Sequence, residues 1–125
     1  TGTGIADAVA VGAFSSAVLV ANNLRDIPTD SATGKRTLAV LLGDTRTRVL
    51  YQVLVAVPVL VSVATGVTTP WALLGLLAVP LLAGPVRRVR SGAAGLALIP
   101  VLRDTGVAML VWAIATGVAL TLGSA

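Results

Sequence analysis

The 125-residue chain is 56% hydrophobic and 11% charged, with a mean hydropathy of +0.97 and a net charge of +4. A soluble domain carries about 25% charged residues, and a small globule with half that share cannot cover its surface. The sequence has no histidine, cysteine or glutamate, which removes Ser-His-Asp and Cys-His catalysis, zinc sites and disulfides together. The five aspartates leave oxygen ligation, the donor type of magnesium, calcium or manganese.

Three charge-free runs cover residues 8–24, 49–86 and 105–125. A membrane-crossing helix needs about 20 apolar residues at 1.5 Å each to traverse roughly 30 Å of hydrocarbon. The first span is expected at about residues 5–24. Asp7 falls at its outer boundary, and Gly12 with Ser16 offers a small-residue pair for close helix approach.

A polar segment follows over residues 25–48 and holds Arg25, Lys35, Arg36, Arg46 and Arg48. The 38-residue run beyond it is too long for one helix. Thr68-Thr69-Pro70 divides it, because proline lacks the amide donor and restricts the residue before it. Spans at 49–67 and 68–86 result, with Trp71 at the boundary and Pro58, Pro80 and Pro85 inside. A second basic connection carries Arg87, Arg88, Arg90 and Arg103. The fourth span is expected at 105–122, with Asp104 as its cap and an Ala113–Gly117 packing pair.

All nine basic residues fall in the first and third connections and none in the second. The positive-inside rule therefore places both basic connections in the cytoplasm and both chain ends outside. The basic residues lie between apolar runs rather than on an exposed stripe, so no nucleic-acid partner is expected. The chain begins with Thr1 and has no basic leader before its first span. It is read as starting partway through a longer protein.

Chemistry concentrates in residues 22–44. Asn22, Asp26 and Asp30 recur every four residues, so a helix would put all three oxygen-bearing side chains on one face. Two carboxylates so close repel each other in a low dielectric, and a divalent cation relieves this. Magnesium suits them because it fills its remaining positions with water and phosphate oxygens. Lys35 and Arg36 follow as further phosphate-binding cations. Together these residues describe a magnesium-diphosphate site at the mouth of a helical bundle. Pro28 sits between the two aspartates and requires either a kink or a fresh helical start. Gly34-Lys35-Arg36-Thr37 is not a nucleotide-binding phosphate loop, since Thr29 and Arg36 occupy positions that motif reserves for other residues.

The run Asn22-Asn23-Leu24-Arg25-Asp26 through Asp30, then Gly34-Lys35-Arg36-Thr37-Leu38-Ala39-Val40 and Leu42-Gly43, resembles the second aspartate-rich motif of the UbiA superfamily of intramembrane prenyltransferases. The stretch Leu98-Ile99-Pro100-Val101-Leu102 before Thr105 is also similar to that family's approach to its final helix. Within the family, the nearest likeness is to the branch that prenylates 1,4-dihydroxy-2-naphthoate in menaquinone biosynthesis.

The resemblance implies an all-α membrane fold in which these four spans correspond to helices six to nine of a nine-helix bundle. Residues 1–125 would be the C-terminal portion of one prenyltransferase domain. It implies magnesium on Asp26 and Asp30, a polyprenyl diphosphate bound by Asn22, Asn23, Arg25, Lys35 and Arg36, and Lys35 acting with both aspartates in catalysis. The aromatic acceptor, the lipid bilayer and the N-terminal part of the same enzyme are the expected partners, because the family's first aspartate-rich motif is missing from this chain. Topology accounts for Arg87, Arg88, Arg90 and Arg103 and is preferred to a contact with the acceptor carboxylate or the diphosphate. Tyr51, Trp71 and Trp112 are expected as interfacial or packing aromatics, with Tyr51 the one candidate for a cation-stabilising wall. Two other readings stay open: prenylation of a different aromatic acceptor such as 4-hydroxybenzoate, and a four-span membrane subunit without catalysis.

Overall fold

The computed structural model describes residues 2–66 and 76–124, whose regular elements are all helices joined by short turns. Helix α1 covers Gly2–Arg25, α2 Ile27–Thr33, α3 Leu38–Leu42, α4 Asp44–Gly66, α5 Val79–Arg90 and α6 Ile99–Ser124. A 3-10 turn at Gly95–Leu98 leads directly into α6. Three stretches, Gly4–Arg25, Asp44–Gly66 and Gly95–Ala119, are long and apolar enough to cross a membrane. At 1.5 Å per residue each exceeds the roughly 30 Å of a hydrocarbon core.

Four spans were expected and three helices of crossing length are found among the described residues. The dividing Thr68-Thr69-Pro70 and Trp71 lie outside them. The described part of the expected 68–86 span is a 3-10 turn over residues 76–78 followed by α5, which runs on to Arg90 and contains Pro85. Pro80 falls in the first turn of α5, where a missing amide leaves no carbonyl unpaired.

Two boundaries move because the polar residues at span ends are helical. The second long helix starts at Asp44, not at residue 49. Asp44 in its first turn meets the positive end of the helix dipole, and its carboxylate pairs with Arg48 one turn on. The last helix starts at Ile99, with Pro100 in the first turn. Asp104 is therefore inside α6 rather than capping it, and its Oδ1 accepts from Arg103 Nε at 3.0 Å.

Helix α1 packs most extensively on α4 and also against α6, which in turn pairs with α5. The core is one cluster that includes Phe14, Ala17, Ala21, Tyr51, Val89, Val101 and Trp112. Small residues on α1 let its neighbours approach closely, and Phe14 meets Trp112 with ring centroids 6.0 Å apart. Gly12 and Ser16 are exposed, so that pair is not a helix-packing seam among the described residues. Of the aromatics expected at interfaces or in packing, the two that are described pack in the interior. Tyr51 is fully buried and Trp112 nearly so. Tyr51 Oη bonds Thr105 Oγ1, which donates to the Val101 carbonyl at 2.6 Å. Trp112 Nε1 donates to Ser62 Oγ at 2.8 Å.

The C-termini of α1 and α5 and the N-termini of α4 and α6 share one end of the bundle, joined there by Arg48, which reaches from α4 to the end of α5. Every basic residue of the chain lies at this end, in α2–α3 or in the adjoining turns. Asp7 alone among the charged residues lies elsewhere, near the start of α1.

Candidate active site

Helix α1 ends at Arg25, and Asp26 forms the junction to α2 with φ −92° and ψ 3°. Pro28 is the second residue of α2, so the proline opens a new helical turn rather than kinking a continuous helix. The helical register nevertheless survives the break. The Asp26 amide donates to the Asn22 carbonyl at 3.2 Å, and the Asp30 amide donates to the Asp26 carbonyl at 2.8 Å. Asn22, Asp26 and Asp30 thus occupy successive turns along one face.

Arg25 ties two of these turns together. Its Nη2 donates to Asn22 Oδ1 at 2.6 Å, and its Nε donates to Asp26 Oδ1 at 3.0 Å. The Asp30 side chain is buried, and among the described residues no hydrogen bond or ion pair engages its carboxylate. Asn23 does not join this group. It lines an apolar cavity of about 280 Å³ between α1, α3 and α4, with Ser16, Leu19, Leu38, Leu50 and Leu54.

The Gly-Lys-Arg-Thr run resolves into two caps. Gly34 adopts φ 78°, its amide donating to Ser31 O, while the Lys35 amide donates to Asp30 O at 2.8 Å. This is the crossed pair of bonds that closes a helix through a left-handed glycine. It fixes the Lys35 backbone beside the last turn of α2. Thr37 then caps α3, its Oγ1 accepting from the Val40 amide at 3.2 Å. Between the caps, Lys35 and Arg36 are exposed and border an open depression of about 280 Å³ with Ser31 and Gly34.

The donor set can be compared with what magnesium needs. Two carboxylates one turn apart fill part of an octahedral shell, and no third acidic side chain gathers with them among the described residues. Magnesium is commonly held by one or two carboxylates, with water and phosphate oxygens completing its shell. Asp26 and Asp30 fit that role, and the neighbouring cations suit the phosphate.

One residue had an unexpected place. Arg48, read from sequence as a loop charge, has a side chain only 11% exposed. It donates to the Val89 carbonyl at 2.8 Å and the Ala93 carbonyl at 2.7 Å while pairing with Asp44 at 2.6 Å. The i,i+4 spacing of Asp44 and Arg48 could have revealed the pair. Nothing in the sequence indicates the carbonyls. Arg87, Arg88 and Arg90 are exposed on the last turn of α5. Arg87 and Arg90 border a separate open depression of about 440 Å³.

Long apolar helices with all basic residues and a pair of aspartates gathered at one end define an all-helical membrane protein. Residues 3–93 match the UbiA prenyltransferase family. The chain belongs to the UbiA prenyltransferase family. It is 58% identical over 120 residues, 96% of its length, to a 1,4-dihydroxy-2-naphthoate octaprenyltransferase of Mycobacterium tuberculosis. Proteins of the same name from Mycobacterium leprae and Escherichia coli are 56% identical over 95% of the chain and 38% identical over 81%. The chain spans 41% and 40% of the length of the two mycobacterial relatives and 34% of that from Escherichia coli. No solved structure matches.

Proposed function

We propose that this chain forms the second aspartate-rich half of a membrane prenyltransferase that joins a polyprenyl group to 1,4-dihydroxy-2-naphthoate in menaquinone biosynthesis. The observation that carries the reading is the Asp26–Asp30 face with Lys35 held beside it by the Gly34 cap. The names of the similar proteins supply the acceptor. The N-terminal part of the same enzyme would supply the rest of the site.

Magnesium on Asp26 and Asp30 would neutralise the diphosphate of the donor. Lys35, Arg25 and Arg36 bind the same phosphate oxygens, so negative charge building on the leaving group meets fixed cations. Asn22 orients Arg25 toward that charge. The allylic C–O bond breaks with its electron pair leaving on diphosphate. The naphthoate ring carbon then bonds the allylic carbon, and the ring recovers its electrons as the carboxylate departs as carbon dioxide. The product is demethylmenaquinone in its reduced form. The apolar cavity lined by Ser16, Leu19 and Leu54 takes part of the polyprenyl tail. The clustering of the nine basic residues at one end supports a site on the cytoplasmic side of the cell membrane, with the end of α6 outside.

The test uses the full-length protein in lipid with magnesium, a polyprenyl diphosphate and 1,4-dihydroxy-2-naphthoate. Wild type should form the prenylated product, and Asp26→Asn and Asp30→Asn should each lose at least about a hundredfold in kcat, the scale of losing one charge-stabilising group. Full activity in both variants would reduce the motif to a loop anchor. Product only with 4-hydroxybenzoate would keep the family reaction and replace the acceptor. No product with any acceptor would favour a non-catalytic subunit.

A further inference from the structure

Asp26 and Asp30 are one helical turn apart yet are treated differently. The Asp30 carboxylate has no protein partner among the described residues, whereas the Asp26 carboxylate is held by its neighbour. Arg25 Nε lies 3.0 Å from Asp26 Oδ1, and Nη2 lies 3.5 Å from Oδ2. That second nitrogen is simultaneously anchored on Asn22 Oδ1 at 2.6 Å. Both side chains of the ion pair are about one-third exposed, so ligands can reach them.

A guanidinium beside a carboxylate supplies the positive charge that a divalent cation would otherwise supply, and it occupies lone pairs that the cation needs. Arg25 is also one of the groups positioned to bind diphosphate. Its fork cannot serve Asp26 and a phosphate oxygen with the same donors.

We propose that Arg25 is an internal stand-in for the divalent cation, holding Asp26 until an incoming diphosphate draws the guanidinium away and frees the carboxylate for the metal. This rests on the metal-diphosphate reading above and adds an order to it: the cation binds poorly alone and well with diphosphate. Arg25 acts as a positioning residue in the unliganded protein and as a diphosphate ligand in the loaded one. Asn22 sets the resting position of that switch. The linkage is reciprocal, so the cation improves diphosphate binding by the same factor.

Mn2+ binding to the full-length protein in uncharged detergent, followed by electron paramagnetic resonance, tests this without turnover. Wild type should bind Mn2+ weakly alone and about 5- to 150-fold more tightly with inorganic pyrophosphate, the usual range of such coupling. Arg25→Gln should tighten Mn2+ binding in the absence of pyrophosphate and shrink the coupling. Arg46→Gln removes the same charge from an exposed position in the first turn of α4 and should tighten it much less. Equal tightening in both variants would reduce the effect to net charge and overturn the proposal. So would unchanged Mn2+ affinity in Arg25→Gln, provided its melting temperature shows it folded. Should Arg25→Gln fail to fold, Arg25→Lys serves instead, because a point charge without the fork releases Asp26 more readily; wild-type affinity there would also overturn the proposal. Absence of Mn2+ binding in every form, with or without pyrophosphate, would instead defeat the metal-site reading itself.

Discussion

Arg48 of α4 and Val89 of α5 lie 41 residues apart in sequence and share a 2.8 Å hydrogen bond between guanidinium and carbonyl. The same guanidinium reaches Ala93 O and Asp44, so one side chain closes the end of α5 and docks it on the start of α4. Cations near a helix C-terminus satisfy carbonyls that the helix leaves unpaired.

Arg48→Ala should destabilise the full-length protein by about 2–3 kcal/mol, because it removes charge-assisted hydrogen bonds to the part-buried Val89 and Ala93 carbonyls. Asp44→Asn should cost less than about 1 kcal/mol, since the Asp44 side chain is 58% exposed and solvent screens the pair. Chemical unfolding in detergent measures both. Equal losses would mean that the ion pair, rather than the carbonyl bracket, holds the two helices together.

Gly34→Ala should cost about 1–2 kcal/mol, since φ 78° is the left-handed region where a Cβ clashes with the backbone. The consequence for function should exceed that for stability. Lys35 is placed by this turn and meets the charge that builds on the leaving group, so the variant should lower kcat as well as raise KM for the prenyl diphosphate. Gly34→Asn should be milder, because asparagine tolerates this conformation. Steady-state kinetics on the three proteins decides it.

Tyr51→Phe should leave the rate of prenyl transfer unchanged and cost about 1 kcal/mol of stability, the range of interhelical hydrogen bonds in membranes. The tyrosine is fully buried and its hydroxyl is spent on Thr105, which makes it a tie between α4 and α6. A large fall in kcat without loss of stability would restore it as a wall of the reacting site.

Ser16→Leu should narrow the apolar cavity next to Asn23. Its KM for a long-chain donor should rise by about tenfold, the scale of one misfitting methylene in an apolar pocket, and that for a short-chain donor much less. An identical profile for both donors would place the prenyl tail elsewhere.

Three of the four expected spans, legible as charge-free runs, are helices of crossing length among the described residues, because hydropathy is a local property that needs no partner. The sequence showed Asp26 and Asp30 through their spacing, and that periodicity survives Pro28 because the amides of Asp26 and Asp30 still find carbonyls four residues back. It was less informative where polar residues are themselves helical. Asp44 to Arg48 and Ile99 to Asp104 look like loop by charge, yet they form first turns with their own pairing. The bracket at Val89 and the burial of Tyr51 were invisible, since each depends on a partner more than 40 residues away. Asn22 and Asn23 look equivalent as neighbours, but a rotation of about 100° per residue sends them to different surroundings.

The two polar contacts between α4 and α6, Tyr51 with Thr105 and Ser62 with Trp112, lie at different depths. A single such contact is a pivot about which one rod can swivel on another. Two at separate heights remove both rotation and sliding, as two bolts do where one would act as an axle. The long helices therefore behave as a fixed frame. Any adjustment of shape that a ligand demands falls on residues 26–43, whose helices have only seven and five residues.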